Sequence, residues 1–289
     1  MTALQISVLA LVQGLCELLP VSSSAHVIMA EKLMGLDPTT PEMTLLLVML
    51  HTGTMLAVIV YFWRPWRDRY FLSWEVFRPF AVRVAVATGI TGILGIALML
   101  VIERVILADS GHAEIEHLFG NSYVIAAGLT AVGIMIIWSG RRRAEARETA
   151  LGIREAAWIG AVQGLCLPFR GFSRSGSTIS TGLFLGMNRE RAEEYSFALA
   201  VVLTPAVIAK EGWRLVKARQ ESLIDAASLM HVLWPSLAGM ALSLLAGLIA
   251  LRWLSRWLEL GRWHYFGYYC LAAGAVVLFS SWYMPPMRG

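Results

Sequence analysis

The pentapeptide VQGLC occurs at residues 12–16 and again at residues 162–166, once in each half of the chain. Each copy is followed by a proline, Pro20 or Pro168, and then by a cluster of serines. Long apolar runs come after each cluster. Because five identical residues recur in matching surroundings, the sequence predicts a duplicated design with a shared architecture in its two halves.

The composition indicates a membrane protein. Of the 289 residues, 57% are hydrophobic and 15% are charged, against about 25% charged in soluble domains. One soluble core cannot bury that many apolar side chains, so neither a soluble enzyme nor a disordered chain is expected. The net charge of +4 fits basic residues on the inner side of a membrane. Binding to nucleic acid is therefore not expected.

The apolar runs differ in length, and length decides which of them cross a membrane. A spanning helix needs about 20 apolar residues. Six runs read as spans: 44–62, 84–102, 122–138, 195–209, 232–251 and 265–284. Shorter runs form two adjacent pairs, interrupted by proline, serine or glycine: 1–16 with 18–30, and 156–169 with 175–188. We therefore predict an all-α polytopic membrane protein with six transmembrane helices and two re-entrant helix pairs.

The distribution of basic residues orients the two halves. If the first helix pair enters from outside, the three spans after it end inside and the second pair enters from inside. Most of the 24 lysines and arginines, including those at 141–143, then lie inside, and the acidic loop 109–117 lies outside. The chain is therefore expected to be a single membrane domain over 1–289, built as an inverted repeat of 1–140 and 153–284. The broken helices of such a repeat meet near the bilayer midplane and line a site there.

The first tip, after the first VQGLC copy, carries a carboxylate and a histidine. Gln13 and Glu17 lie four residues apart and so share a helix face. A proline ends this helix, and Ser22 or Ser23 begins the next one as its cap. The Glu17 carboxylate is a hard ligand of the kind that Mg²⁺ or Ca²⁺ prefers. His26 is a candidate general acid or base.

The second tip carries fixed positive charge. A turn of proline and glycine again leads into a serine-rich helix start. Two helix N-termini would then direct free N–H groups at one place, which makes a ready anion site. Arg174, with Arg170 near it, adds guanidinium donors that suit phosphate. An arginine at membrane depth costs at least about 2.5–3.5 kcal/mol, so it persists most easily beside a charged ligand.

Together the two tips resemble a known enzyme family. The runs QGLCELLPVSSSAH at 13–26 and GFSRSGST at 171–178 are similar to the two signature motifs of undecaprenyl-diphosphate phosphatases of the bacitracin-resistance type. The resemblance extends over most of the chain, including HTGT at 51–54 and LTPA at 203–206. One departure is Arg170, which stands where the family motif has proline.

The resemblance implies both an activity and a location. It implies an enzyme of the bacterial inner membrane whose site opens to the periplasm and which removes the terminal phosphate from undecaprenyl diphosphate. This reaction recycles the lipid carrier for peptidoglycan synthesis and gives bacitracin resistance. The resemblance also implies a divalent cation, Mg²⁺ or Ca²⁺, as cofactor. The expected partners are the polyprenyl diphosphate lipid and the membrane lipids, and a homodimer is left open.

Roles are assigned to the residues of the two motifs. The expected catalytic residues are Glu17, Ser23, His26, Ser173 and Arg174. The expected phosphate-binding residues are Gln13, Ser22, Ser24, Arg170, Arg174, Ser175 and Thr178. Glu17 is also the expected metal ligand.

Simpler structural roles stay open for several of these residues. Glu17 could be a structural partner of Arg174, and His26 could satisfy a helix end. The serines could serve only as caps, and Arg170 could reach the membrane surface. His51 is expected to pack between helices. The nucleophile is either a serine or water.

Two further functions compete with hydrolysis. Inverted repeats with broken helices are also a transporter architecture, so a secondary transporter or flippase of an anionic lipid or solute is the alternative. A transporter needs charge complementarity, but it does not need a nucleophile and a base. A purely structural membrane scaffold would leave the midplane charges without a purpose.

Overall fold

A computed structural model of the chain describes residues 1–37, 40–106, 121–141, 151–220 and 226–283. Within these residues the chain forms ten α-helices and no β-strand. The helices of the first half are α1 (Ala3–Leu18), α2 (Ser23–Leu33), α3 (Pro41–Tyr70), α4 (Trp74–Val101) and α5 (Ser122–Arg141). Those of the second half are α6 (Ile153–Cys166), α7 (Arg174–Phe184), α8 (Arg189–Gln220), α9 (Ala226–Glu259) and α10 (His264–Tyr283). A π-helical turn, Ile102–Ile106, continues α4.

Four of these helices are long and apolar enough to cross a membrane. They are α3, α4 with its π turn, α5 and α9. They coincide with four of the six predicted spans, so these four predictions are confirmed, and the chain is a multi-pass membrane protein.

The other two predicted spans fall on helices that do not reach the same length of apolar sequence. The run 195–209 lies within the longer and more polar α8, which continues through Pro205. The apolar part of α10 is the shorter segment His264–Ser280. Both stay predictions as spans. Residue 284 and the loops predicted at 109–117 and 142–143 lie outside the described residues.

The two predicted broken-helix pairs are present in the structure. They are α1 with α2 and α6 with α7, of 16, 11, 14 and 11 residues. Each helix is shorter than the roughly 20 residues needed to span a bilayer. The first pair is broken where Pro20 stands, since α1 ends at Leu18 and α2 begins at Ser23.

The glycines of the two VQGLC copies allow equivalent close packing. A Cβ on Gly14 would lie 2.6 Å from the Cβ of Ala246, where α1 packs on α9. A Cβ on Gly164 would lie 3.1 Å from the Cβ of Leu94, where α6 packs on α4. Each broken helix thus lies against a long helix of the other half, because glycine lets the two backbones approach.

The long helices α3 and α8, which occupy equivalent places in the two halves, run antiparallel to each other. Near the end of α3, the Arg69 guanidinium lies 2.6 Å from a Glu194 carboxylate oxygen near the start of α8. Earlier in α3 and later in α8, Phe62 stacks on Phe197 with ring centroids 5.4 Å apart. An inverted repeat requires such an antiparallel crossing. The inverted membrane orientation itself stays a prediction.

We expect equivalent loops of the two halves to lie on opposite sides of the membrane. A fluorescent reporter that folds only in the cytoplasm should be bright when fused after Leu72, between α3 and α4, and dark when fused after residue 222. A phosphatase reporter that is active only outside the cytoplasm should give the reverse pattern. A fusion after Leu260, between α9 and α10, should match the Leu72 fusion. The same signal from the Leu72 and residue 222 fusions would contradict the inverted repeat.

Candidate active site

The two tips meet directly in the folded chain. Arg174, the first residue of α7, places its Nη2 3.4 Å from Oε1 of Glu17 in α1. Next to it, the Ser175 hydroxyl donates to the backbone carbonyl of Leu19, at 3.4 Å. The structure therefore brings the predicted carboxylate and the predicted arginine together from opposite halves of the chain.

Glu17 is the centre of a polar cluster. Its Oε2 accepts a hydrogen bond from Nε2 of Gln13 at 3.1 Å and one from the Ser23 hydroxyl at 2.6 Å. Nε2 of His51 lies 4.0 Å from the same oxygen. The Glu17 side chain is 19% exposed, so these donors replace much of the water that a free carboxylate would bind.

Arg174 has donor capacity that the protein does not use. Nη1 of Arg174 is buried and has no hydrogen-bond partner among the described residues. Because an unpaired buried donor costs about 1–3 kcal/mol, more when it is charged, a bound anion would restore the missing partner. The ion pair agrees with the simpler alternative, in which Glu17 is a structural partner of Arg174. It leaves Nη1 of the guanidinium without a partner among the described residues.

The start of α7 is built by a cap and a glycine turn. The Ser173 hydroxyl accepts a hydrogen bond from the backbone N–H of Gly176 at 3.3 Å, which confirms the serine-rich helix start. Gly171, just before it, has φ +96°, and a Cβ there would collide with the backbone of Ile125. Only glycine fits this position without strain.

The start of α2 is less regular. Ser22 occupies the N-cap position, as expected, but its side chain makes no capping hydrogen bond. Its φ of 66° lies in the left-handed region, which is rare for a residue with a side chain. The Ser22 and Ser24 hydroxyls lie 3.3 Å apart. The first backbone N–H groups of α2 therefore lack a side-chain cap from Ser22. These groups lie at the helix end that carries Ser23, whose hydroxyl bonds to the Glu17 carboxylate.

Some of the predicted phosphate ligands have other partners in the structure. The Thr178 hydroxyl donates to the Arg174 carbonyl at 2.8 Å or pairs with the Ser196 hydroxyl at 2.6 Å, and the side chain is 1% exposed. It joins α7 to α8. Ser175 is also buried, with its hydroxyl directed to Leu19. Ser173 is 5% exposed and serves as the cap of α7.

Arg170 lies in the turn before α7 and acts on a different carboxylate. Its positive charge acts electrostatically on Glu31, a residue of α2 that is 4% exposed. Oε1 of Glu31 has no hydrogen-bond partner among the described residues. Arg170 thus connects the second tip electrostatically to α2. The sequence alone did not indicate Glu31 as its partner.

His26 points away from the carboxylate cluster. Its Nδ1 lies 2.8 Å from the Ser22 carbonyl, and its Nε2 lies 2.6 Å from the hydroxyl of Tyr269 in α10. Within the described part of the chain, no hydrogen bond joins His26 to Glu17 or Ser23. The Ser23 hydroxyl donates to Glu17 instead, so that carboxylate, and not the candidate base His26, contacts the serine.

A small cleft opens beside the ion pair and is lined in part by residues for which the sequence indicated no role. Glu17 and Arg174 line it together with Thr54 of α3 and Thr204 of α8. His51, one turn before Thr54, faces Glu17, whereas the sequence predicted only that it packs between helices. The sequence signal for these residues was the pair of runs 51–54 and 203–206. The family resemblance included both runs, but neither contains an acidic or strongly basic residue.

The donors around Glu17 can be compared with the needs of a divalent cation. No group of three or more His, Cys, Asp or Glu side chains suited to a metal occurs among the residues that the structure describes. The cluster instead offers the carboxylate of Glu17, the amide of Gln13 and the hydroxyl of Ser23. These oxygen donors suit Mg²⁺ or Ca²⁺, and one carboxylate is enough where phosphate oxygens of the substrate complete the ligand set.

Comparison with known proteins shows the family of the chain. Residues 6–276 match the family described as bacitracin resistance protein BacA. The chain is 58% identical to "Undecaprenyl-diphosphatase 2" of Acinetobacter baylyi over 279 residues, which cover 96% of this chain and 98% of that protein. It is 34% identical to "Undecaprenyl-diphosphatase" of Thermus thermophilus over 275 residues, 94% of each chain. The chain therefore belongs to the BacA family of bacitracin resistance proteins.

Proposed function

We infer that the protein hydrolyses undecaprenyl diphosphate to undecaprenyl phosphate and inorganic phosphate. This reaction recycles the lipid carrier for peptidoglycan synthesis and gives resistance to bacitracin. The names of the relatives point to this substrate. The observation that carries the inference is the Arg174 guanidinium, whose buried Nη1 has no partner among the described residues and which lies next to a carboxylate and a serine hydroxyl.

Arg174 and the start of α2 would hold the diphosphate. The unpaired Nη1 can donate to a phosphate oxygen. The N–H groups at the start of α2 add the positive end of a helix dipole. Charge on the transferring phosphoryl group is redistributed in the transition state. Fixed donors in a water-poor site stabilise that charge without reorganising.

Ser23 is our candidate nucleophile. Its hydroxyl proton already points at Oε2 of Glu17 over 2.6 Å, so Glu17 is placed to take it as general base. The Ser23 oxygen then attacks the terminal phosphorus, and the bond to the bridging oxygen breaks, which releases undecaprenyl phosphate. Water afterwards releases the phosphate from the serine. In the alternative, Glu17 removes a proton from water, which attacks directly.

A divalent cation, Mg²⁺ or Ca²⁺, would be held by Glu17 with help from Gln13. When bound, it would neutralise charge on the diphosphate oxygens. Gln13 would then have a second use beyond the hydrogen bond of its amide nitrogen, since an amide oxygen can contact a cation or a water molecule.

We propose the bacterial inner membrane as the location, with the site open to the periplasm. The apolar helices and the bias of arginines toward the predicted inside segments support this orientation. The polyprenyl tail would lie between helices, in contact with the bilayer. The single domain with repeats 1–140 and 153–284 is part of the same proposal, and a homodimer stays a prediction of the sequence.

One observation favours the alternative, a transporter or flippase of an anionic lipid or solute. The antiparallel crossing of α3 and α8 resembles the core of inverted-repeat transporters. The Ser23–Glu17 hydrogen bond argues for hydrolysis, because transport has no use for an activated hydroxyl. Hydrolysis also needs no membrane, so detergent-solubilised protein separates the two functions.

Replacing Arg174 should abolish turnover in detergent. We expect Arg174→Ala to lower kcat/KM for phosphate release from undecaprenyl diphosphate at least about 100-fold, because a fixed charge donor is lost. Arg174→Lys should restore only part of this, since lysine lacks the forked donors. The control Arg67→Ala removes an arginine whose side chain is 57% exposed and paired with Asp68, and it should have no effect. Full activity of Arg174→Ala would refute the assigned role.

Removing the Ser23 hydroxyl tests the nucleophile. If Ser23 attacks with Glu17 as its base, Ser23→Ala should lower kcat at least about 100-fold while the substrate still binds. The matched control is Ser7→Ala, whose hydroxyl only donates to the Ala3 carbonyl of its own helix. Phosphate release by Ser23→Ala at the rate of the parent protein would show that water attacks directly.

Chelation tests the cation. Treatment with a chelator should suppress phosphate release, and added Mg²⁺ or Ca²⁺ should restore it. The same cation should raise the thermal unfolding midpoint of the parent protein, since a ligand of the native state stabilises it. Glu17→Gln should lose this shift, whereas Glu75→Gln, at an exposed position, should keep it. An unfolding midpoint that no cation changes, with full activity in chelator, would exclude the cation.

A further inference from the structure

The pair formed by His26 and Tyr269 links the first tip to α10, which neither signature motif includes. Nε2 of His26 lies 2.6 Å from the Tyr269 hydroxyl, and the two rings stack at 18° with centroids 5.8 Å apart. We propose that Tyr269 is a proton-relay residue for the hydrolysis inferred above, and that His26 exchanges its proton through the Tyr269 hydroxyl. This proposal rests on the proposed function.

The bonding of His26 leaves one nitrogen for proton exchange. Nδ1 lies 2.8 Å from the Ser22 carbonyl oxygen, which can only accept a hydrogen bond. Nδ1 must therefore carry a hydrogen in both the neutral and the charged imidazole. All gain and loss of protons then takes place at Nε2, the nitrogen that faces Tyr269.

A tyrosine hydroxyl suits this position because it can donate or accept. When His26 is neutral, the hydroxyl donates its hydrogen to the Nε2 lone pair. When His26 is charged, Nε2–H donates to the phenol oxygen. A 2.6 Å contact can thus persist in both states. Tyr269 is 46% exposed, so the protein does not enclose its ring.

The proton transfer balances without any further reactant. The phenol oxygen of Tyr269 accepts a proton from water that attacks the phosphorus, while the phenol hydrogen moves to Nε2 of His26. The imidazole becomes an imidazolium, and the hydroxyl is regenerated. The reverse transfer returns the proton to a phosphate oxygen of the product. That water is the one that hydrolyses the phosphoserine in the serine route, since in the direct route Glu17 takes the proton of the attacking water.

The local structure holds both partners in place. The Cys270 thiol, next to Tyr269, donates to the Pro20 carbonyl at 3.2 Å and is fully buried. This contact fixes the Tyr269 turn of α10 against the turn before α2. On the other side, the left-handed conformation of Ser22 directs its carbonyl at His26. Such backbone strain is characteristic of functional sites.

Tyr269→Phe separates the hydroxyl from the ring, because it keeps the stacking and removes only the oxygen. We expect kcat for phosphate release to fall about 100-fold, the usual contribution of a positioned proton-transfer group, with KM nearly unchanged. The matched control is Tyr268→Phe on the same helix, since the Tyr268 hydroxyl instead accepts from Arg141 at 2.7 Å. This control should keep the kcat of the parent protein.

A double-mutant cycle tests whether Tyr269 acts through His26. In a His26→Ala background, adding Tyr269→Phe should cause no further loss of kcat, because the proton acceptor is already absent. A loss that multiplies with that of His26→Ala would show that Tyr269 acts independently, and it would overturn the proposal. Parent-level kcat in Tyr269→Phe would overturn it as well.

A spectroscopic measurement covers the case in which Tyr269→Phe fails to fold. In the nitrogen NMR spectrum of ¹⁵N-histidine-labelled parent protein, the signals lost in His26→Ala belong to His26. They should show neutral His26 as the Nδ1–H tautomer, and the Nε2–H tautomer would overturn the proposal. Parent protein that releases no phosphate would refute the proposed function and this proposal together. An active parent with the wrong tautomer would refute this proposal alone.

Discussion

The contact between the Glu17 carboxylate and the Arg174 guanidinium unites the two halves of the chain. Each group alone would be costly inside a membrane, where little water is available to solvate a charge. Each therefore depends on the other. For the two groups to meet, α1 ends and α7 begins where the tips come together. The broken helices, the glycine turn at Gly171 and the cap at Ser173 all serve this meeting.

The duplication supplies the framework, and divergence supplies the chemistry. Gln163 in the second VQGLC copy is fully buried and donates to Thr91 of α4, whereas Gln13 in the first copy donates to Glu17. Two identical motifs thus have different uses, one in packing and one at the site. Divergence between the two halves thus pairs a carboxylate of one with an arginine of the other.

The sequence predicted the tips correctly because their signals are local. Pro20 lies next to the helix end that it favours, and a serine cap lies next to the helix that it begins. The positions of Tyr269 and His51 could not be predicted in this way. Tyr269 is distant from His26 in the sequence, and an uncharged tyrosine in an apolar helix resembles any interfacial aromatic residue. Likewise, nothing in the sequence indicates that Thr178 faces Ser196 and that Arg170 acts on Glu31.

By itself, the sequence determined the helical membrane architecture and the break in each short helix pair. These features follow from composition, run length and local breakers, which need no knowledge of distant contacts. Only the tertiary structure decided which base faces Ser23 and which group holds His26. Those choices depend on how α1, α2, α7 and α10 pack, because the direction of a side chain at a helix end is set by its neighbours in space.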